Sequence, residues 1–556
     1  MVNADRGRPY RGVTPPTGGG RLSARHRTAW LLRVNRLYGA SPEWATRAYA
    51  FAAAFRGGCW PDQADPSRIS RWETAVTEVP YLAVRRYEEL LALPPDHLSS
   101  AVDTLNRYLS PGAPLARPPR HLAALGHRVD DLLDAVTGHD TVTGTDWDEL
   151  TAYLAARSSL RLRSSDWSAV AHRLLTETVV SDGRAWRQRF EAFNRLLGHP
   201  SGAPAAIAAL ADWAADPTNQ AYIETVCLLD GSAHPDAARS VLAQLADPTN
   251  DDARYGALLA CVRKLRHGHF RPDQVGQVAG YAAELLRETG ARFHDTRVLA
   301  GSVLDLARAR DPGGLPPSLR ARAGGADATG PPPESVAPET RRHLAVLVAR
   351  IAGSAVSLLP RQTGRFHDTT LPVLLEEALT DPVFDVRLHA LLLLYATPYR
   401  APLATAVGRE ITRLGFGRDT EATVRLFHAL GILGGPAERR QAERVVLRGG
   451  VPAAVADAAA RALAHTGGRS GDDFWTTALS LHGAAAHAGS DLSVRVLGDL
   501  VYALGIGGDR HWLRLLAADP RLPPALRSRA RWWTHLPPYV PGPRRPVRPG
   551  DRPGPT

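Results

Sequence analysis

The residues whose type and spacing point most directly to a chemistry are Arg68 and Arg71, in the stretch "DPSRISRWETA" at 65–75. Residues three apart on a helix are neighbours on one face. The two guanidiniums would therefore project together, with Ser67 and Thr74 beside them, as a small, polar and cationic surface. Guanidinium forks of this kind match phosphate oxygens and the acceptor edges of bases. Asp65 suits a helix N-cap and Pro66 its first turn, where a missing N–H costs nothing. Ile69, Trp72 and Val76, at i, i+3 and i+7, make an apolar stripe that predicts burial of the opposite side.

Other constellations with chemical potential do not assemble. The chain has no HExxH, no phosphate-binding loop, no GxSxG and no dinucleotide fingerprint, so no enzymatic activity is expected. His267 and His269 in "RHGHF" flank a glycine, but no carboxylate or cysteine stands at a recognised ligand spacing. Cys59, Cys227 and Cys261 form no CxxC pair and no disulfide framework. No metal or cofactor is therefore expected. The pairs Asp130/Asp131 and Glu376/Glu377 sit beside apolar periodic residues and read as solvated helix faces.

A face such as that of Arg68 and Arg71 has to be held by a small helical unit, and residues 25–109 supply one. "AWLLRVNRLYG" gives a first amphipathic helix stopped at Gly39, and "SPEWATRAYAFAAAFRGG" a second, closed at Gly57. The Arg68/Arg71 helix is third. A fourth follows Pro80 with Val84, Tyr87 and Leu91 on its core side, and a fifth has Leu98, Val102 and Leu105 inward. Five short helices with a basic third one fit a helix-turn-helix unit whose third helix enters a major groove.

The run "SRISRWETA…VPYLAVRRYEELLALPPDHL" resembles the xenobiotic-response-element (Cro/C1-type) helix-turn-helix regulators over about residues 28–108, through Ile69, Ser70, Trp72, Glu73, Pro80, Leu90 and Leu93. More loosely, the whole chain resembles actinobacterial regulators that join such a unit to a long α-helical region. The resemblance implies binding of double-stranded DNA by a transcriptional regulator, often a homodimer on a two-fold site. It also implies an arginine of the first helix paired with Glu73, and either Arg33 or Arg36 could serve. Ser67 and Arg68 would reach base edges, Arg71 a base or a phosphate, and Thr74 and Arg56 phosphates, while Ile69 and Trp72 hold the helix from behind. Two features depart from the family. "RGGCWPDQADP" makes a long connection before the third helix, and Glu43 stands where a phosphate-gripping glutamine is usual.

The remainder is read as helical throughout. Units anchored on Val386, Val424, Val455, Val494 and Leu526 lie 38, 31, 39 and 32 residues apart. Each has a turn with Asp or Pro, then an apolar residue usually followed by Arg, then an amphipathic helix. Such spacing indicates stacked hairpins, since one hairpin cannot bury its own apolar face. The expected fold is all-α: a helix-turn-helix domain followed by an α-solenoid of HEAT-like repeats. The expected organisation is a disordered 1–24, the DNA-binding unit at 25–109 and a Pro-rich linker at 110–120. Helices at 121–200 then lead to repeats at 201–535 with a loop at 311–338, and to a basic tail at 536–556.

The formal charge is +11, with 67 Lys+Arg against 56 Asp+Glu, which is compatible with nucleic acid but does not by itself specify it. "HLAVLVARIAGSAVSLLP" is broken by Arg350 and reads as a buried helix, and the N-terminus lacks the apolar core of a signal peptide, so a cytoplasmic protein without membrane spans is expected. The expected function is sequence-specific DNA-binding regulation, with the helical C-terminal region sensing a small ligand or recruiting a protein partner. The alternative is a non-enzymatic interaction scaffold with a degenerate helix-turn-helix unit.

Overall fold

The structure, a computed structural model, describes residues 21–40, 42–109, 117, 119–138, 140–287, 294–311, 313, 315–320, 338–359 and 368–537. Most of the expected linker at 110–120, most of the loop at 311–338, and residues 1–20 and 538–556 lie outside that set. The described residues are all-α and contain no strand.

Ser23 opens the first helix, its hydroxyl oxygen accepting the His26 N–H, and α1 runs Ala24–Tyr38. Arg21 is already ion-paired to Asp381 (2.6 Å) and Leu22 is buried, which moves the expected N-terminal boundary at residue 24 back to at least Arg21. The second helix expected from the sequence is broken: Glu43–Thr46 forms a 3-10 turn and α2 covers only Ala48–Ala53. The carbonyls of Ala45 and Thr46, which a continuous helix would spend on its next turn, instead accept Nη1 of Arg36 (3.1 and 2.9 Å). Next come α3 (Pro66–Glu73), α4 (Tyr81–Leu90) and α5 (Ser99–Leu109). Helices α6 (Pro119–Leu125), α7 (Val129–Thr137), α8 (Gly144–Ala155), α9 (Ser164–Val179) and α10 (Gly183–Gly198) lead into the repeats.

The repeat order is clearest at the C-terminal end. Thr420–Leu433, Ala453–Ala462, Asp491–Ile506 and Pro524–His535 stack successively on one another. Behind them, as hairpin partners, lie Arg400–Leu414, Pro436–Val446, Asp472–His487 and Arg510–Ala518. The stacked helices are those carrying Val424, Val455, Val494 and Leu526, and Val386 lies on Phe384–Tyr395, which packs on the first of them. The arginine after the anchor has a mechanical reason. Arg425 donates to the Asp381 carbonyl one repeat earlier (3.0 Å), and Arg495 pairs with Asp457 one repeat earlier (3.1 Å). Those two hairpins are thereby pinned to their predecessors.

The solenoid curls back on itself. Trp532 of its last helix meets Trp213 of Ala203–Ala215 edge to face at 5.4 Å. Arg263 of Asp251–His267 reaches across to Asp385 through two hydrogen bonds of 2.8 and 2.7 Å. The N-terminal helices seal one side of this curl. Arg27 of α1 pairs with Glu377, the Trp30 Nε1–H donates to Asp368, and the Asn35 amide donates to the Ala396 carbonyl. Glu377 is therefore not the solvated carboxylate its neighbours suggested, because an arginine 350 positions earlier claims it (2.6 Å). No helix among the described residues is long and apolar enough to cross a membrane.

Candidate nucleic-acid interface

The α3 helix is positioned from behind by one buried carboxylate. Glu73 accepts Nε and Nη2 of Arg36, each at 2.6 Å, and the Tyr87 hydroxyl of α4 at 2.9 Å. The Arg36 and Glu73 side chains are only 5% and 3% exposed. Burial opposes the Arg36 charge, but the Glu73 carboxylate outweighs it and raises the guanidinium pKa above its ordinary value. The choice between Arg33 and Arg36 thus falls to Arg36, which takes both oxygens of Glu73, while Arg33 is half-buried on the same helix. Ile69 and Trp72 are buried as expected, Trp72 lying 5.6 Å from the Phe55 ring and 5.7 Å from that of Trp60.

The opposite face is open. Ser67, Arg68, Ser70 and Arg71 are exposed, as is Arg56, and among the described residues no repeat helix packs extensively against α3. Asp65 caps α3 by accepting the Arg68 N–H (2.9 Å), and Oγ of Ser67 donates to the same carboxylate (2.5 Å). Those bonds, the Ser67 hydroxyl first, hold the Asp65 carboxyl below its ordinary pKa. Ser67 has therefore already given its proton away and can act toward a further partner only as an acceptor.

Two expectations change here. Thr74 is half-buried and its hydroxyl donates to the Ser70 carbonyl at 2.6 Å, leaving no proton for a phosphate. Val76 does not extend the buried stripe: α3 ends at Glu73, Ala75 takes a φ of 60°, and Val76 is turned outward, 60% exposed.

The long connection before α3, a departure from the family pattern, is a built element. Trp60 enters the core against Phe55, and Gly57 and Trp60 exchange backbone hydrogen bonds. Arg86 donates to the carbonyls of Phe55 (2.9 Å) and Ala54 (2.8 Å), closing the end of α2. Glu89 pairs with Arg86 and accepts the Cys59 N–H. Arg85 is likewise engaged, with Glu88 and Asp96, so neither arginine of α4 is a solvated cation. Sequence reading missed Tyr87 as a partner of Glu73 and Trp60 as a core residue. A tryptophan inside a polar turn was the available signal for the second. Gly58 has a φ of 53°, and a Cβ there would overlap the Glu89 carboxylate and the Arg86 guanidinium. Gly58→Ala should accordingly cost about 1–3 kcal/mol, read as a lower thermal midpoint with faster amide exchange at 54–60.

The two histidines of "RHGHF" have rings 5.3 Å apart, and His269 Nδ1 lies 3.2 Å from the Asp230 carbonyl oxygen. Among the described residues no group of three or more His, Cys, Asp or Glu side chains could hold a metal ion.

The class is thus an α-solenoid whose N-terminal helical cap presents a polar, cationic α3 to solvent. No family model matches the chain, and no curated protein does. Among solved structures the chain is similar to one from the complex in which Kap95p binding induces the switch loops of RanGDP to adopt the GTP-bound conformation. That similarity is at 11% identity with a TM-score of 0.22, over 83% of this chain and 67% of the other. So distant a likeness says nothing of role, and the fold description rests on the helix stacking itself.

Proposed function

We propose that the chain is a sequence-specific DNA-binding regulator of the xenobiotic-response-element helix-turn-helix type, whose repeat region senses a small ligand or recruits a protein. The observation supporting this most is the two-sidedness of α3. Its reverse is locked through Glu73 to α1 and α4, while Ser67, Arg68, Ser70 and Arg71 are exposed among the described residues. The geometry also sharpens the roles. The Asp65 carboxylate would repel a phosphate at the start of α3, so that end suits base amino groups, with Ser67 accepting and Arg68 donating to a base edge. Arg71, one turn on, and Arg56 take phosphates, and a homodimer would place two such helices on a two-fold site.

The test is titration of an operator selected from random-sequence duplexes, at several salt concentrations. Arg68→Ala should weaken the selected site by about 1–3 kcal/mol relative to random DNA. Arg71→Ala should weaken both alike and lower the salt slope by about one unit. A second reading, an interaction scaffold, is favoured by the repeats occupying most of the chain. Under it, wild type shows no steep salt dependence and both variants behave as wild type.

A further inference from the structure

The curl of the solenoid lines a partly open cavity of about 390 Å³, between α10, Tyr222–Cys227 and Asp251–His267 on one side and the stacked repeat helices on the other. That volume falls in the range of small-molecule sites, which are mostly apolar with a few convergent polar groups. One end has that character. Phe384 and Tyr502 supply ring surface, and Arg387, His428 and Arg461 supply polar atoms. The Arg387 guanidinium lies over the Phe384 ring at 5.4 Å, and the His428 ring meets Phe384 edge to face at 6.0 Å.

The polar groups at this end are predominantly cationic. Arg461 bonds Asp499 through Nη1 (3.2 Å), yet its side chain keeps 49% of its surface. The His428 Nδ1 is buried and has no hydrogen-bond partner, an arrangement that ordinarily costs stability. Burial pushes the His428 pKa down to about 3, and Arg387, Arg425 and Arg461 push it the same way, so three guanidinium fields converge on this ring. Of the carboxylates on the wall, Asp385 is spent on Arg263, Asp182 stands at the start of α10, and Glu224 faces the cavity from the opposite arm. An acidic group beside His428 would satisfy its open nitrogen and the converging positive field together, with an aromatic body packed on Phe384.

We propose that this cavity is a binding site for a small aromatic anion, its acidic group at His428 and Arg461 and its rings against Phe384. The proposal deepens the ligand-sensing half of the function above and rests on that reading for its regulatory meaning. The wall itself connects the two: Phe384–Tyr395 lines the cavity with Phe384, Arg387 and Leu388, while His389 of the same helix stacks on Tyr108 of α5 at 3.6 Å. A single helix separates the site from the DNA-binding unit.

The experiment uses the full chain, without DNA, and two matched fluorescent probes: 1-anilinonaphthalene-8-sulfonate, and N-phenyl-1-naphthylamine, which has the same rings and no charge. The sulfonate should bind saturably at one site per chain and at least about tenfold more tightly than the neutral amine. His428→Phe, which keeps an aromatic ring and removes the nitrogens, should weaken sulfonate binding and leave the amine unchanged, the preference that remains resting on Arg461. Leu388→Trp, which fills the cavity from a half-buried position, should abolish both. Equal affinity for the two probes, no saturable binding, or sulfonate binding unchanged in His428→Phe would overturn the proposal. Should Leu388→Trp lose helicity, the His428→Phe comparison still decides. Since no DNA is present, failure here is distinguishable from failure of the DNA-binding reading.

Discussion

Glu73→Ala should release α3 from the rest of its unit while leaving the repeats folded. The substitution strands the Arg36 guanidinium and the Tyr87 hydroxyl in a site where both carboxylate oxygens are now spent on them. Removing one member of a buried ion pair costs about 3–5 kcal/mol, because the remaining charge has no water to return to. At roughly 1.4 kcal/mol per tenfold, exchange of the α3 amides after Pro66 should accelerate more than a hundredfold. On the proposed function, DNA affinity would fall with it, through loss of structure and not of contacts. The double variant Arg36→Met/Glu73→Leu separates the two causes. Replacing a buried pair with apolar side chains of similar volume is often close to neutral, so exchange protection should return in part, limited by the Tyr87 hydroxyl and the Ala45 and Thr46 carbonyls that lose their partners. On the proposed function, DNA binding should return with it. If Glu73→Ala leaves exchange at 66–73 unchanged, the Arg36–Glu73 pair does not hold α3.

This locking was only partly legible in the sequence. The two-faced pattern of α3 could be read from Ile69 and Trp72, because a helix start marked by Asp65 and Pro66 fixes the phase of the turns after it. The same phase failed at Val76, because Ala75 adopts a left-handed backbone and no periodicity survives that turn. The repeat anchors were readable for the same reason as Ile69: an apolar residue at a constant place in a hairpin has to face the neighbouring hairpin. Contacts that depend on distant parts of the chain could not be read. Arg27, Trp30 and Asn35 of α1 look like the polar and interfacial residues of an ordinary amphipathic helix. Their partners Glu377, Asp368 and Ala396 lie 350, 338 and 361 positions away. Composition showed an excess of arginine and could not say which arginines were engaged. Arg36, Arg85, Arg86 and Arg107 are consumed by carboxylates or carbonyls, while Arg68 and Arg71 keep exposed side chains.

The second large effect is expected at the junction between the N-terminal unit and the remainder, where Asp148 of α8 sits between two guanidiniums. One of its oxygens accepts Nη1 of Arg195 of α10 at 2.6 Å, and the other pairs with Arg117, whose guanidinium also lies over the Tyr81 ring of α4 at 4.8 Å. Arg195 continues to Asp103 of α5 at 2.8 Å, so a chain of charges runs from α8 through α10 to α5. All of these side chains are nearly inaccessible, which puts Asp148→Asn in the range of about 3–5 kcal/mol. Burial alone would raise the Asp148 pKa, but Arg117 and Arg195 outweigh it and hold the carboxyl well below the ordinary range. A carboxyl with a lowered folded-state pKa contributes stability above its unfolded pKa, about 3.9 for aspartate, and loses that contribution as the pH falls further. The gap in thermal midpoint between wild type and Asp148→Asn should therefore stay constant from about pH 8 to 5 and narrow below about pH 4. A gap that narrows instead on the alkaline side would mean that the pair is not what joins these helices. Exchange in Asp148→Asn should accelerate in α5 and α8 and remain slow at 66–73, because Glu73 keeps its own partners. On the proposed function, operator affinity at neutral pH should then survive in Asp148→Asn and be lost in Glu73→Ala, since only the latter removes the support behind Arg68 and Arg71.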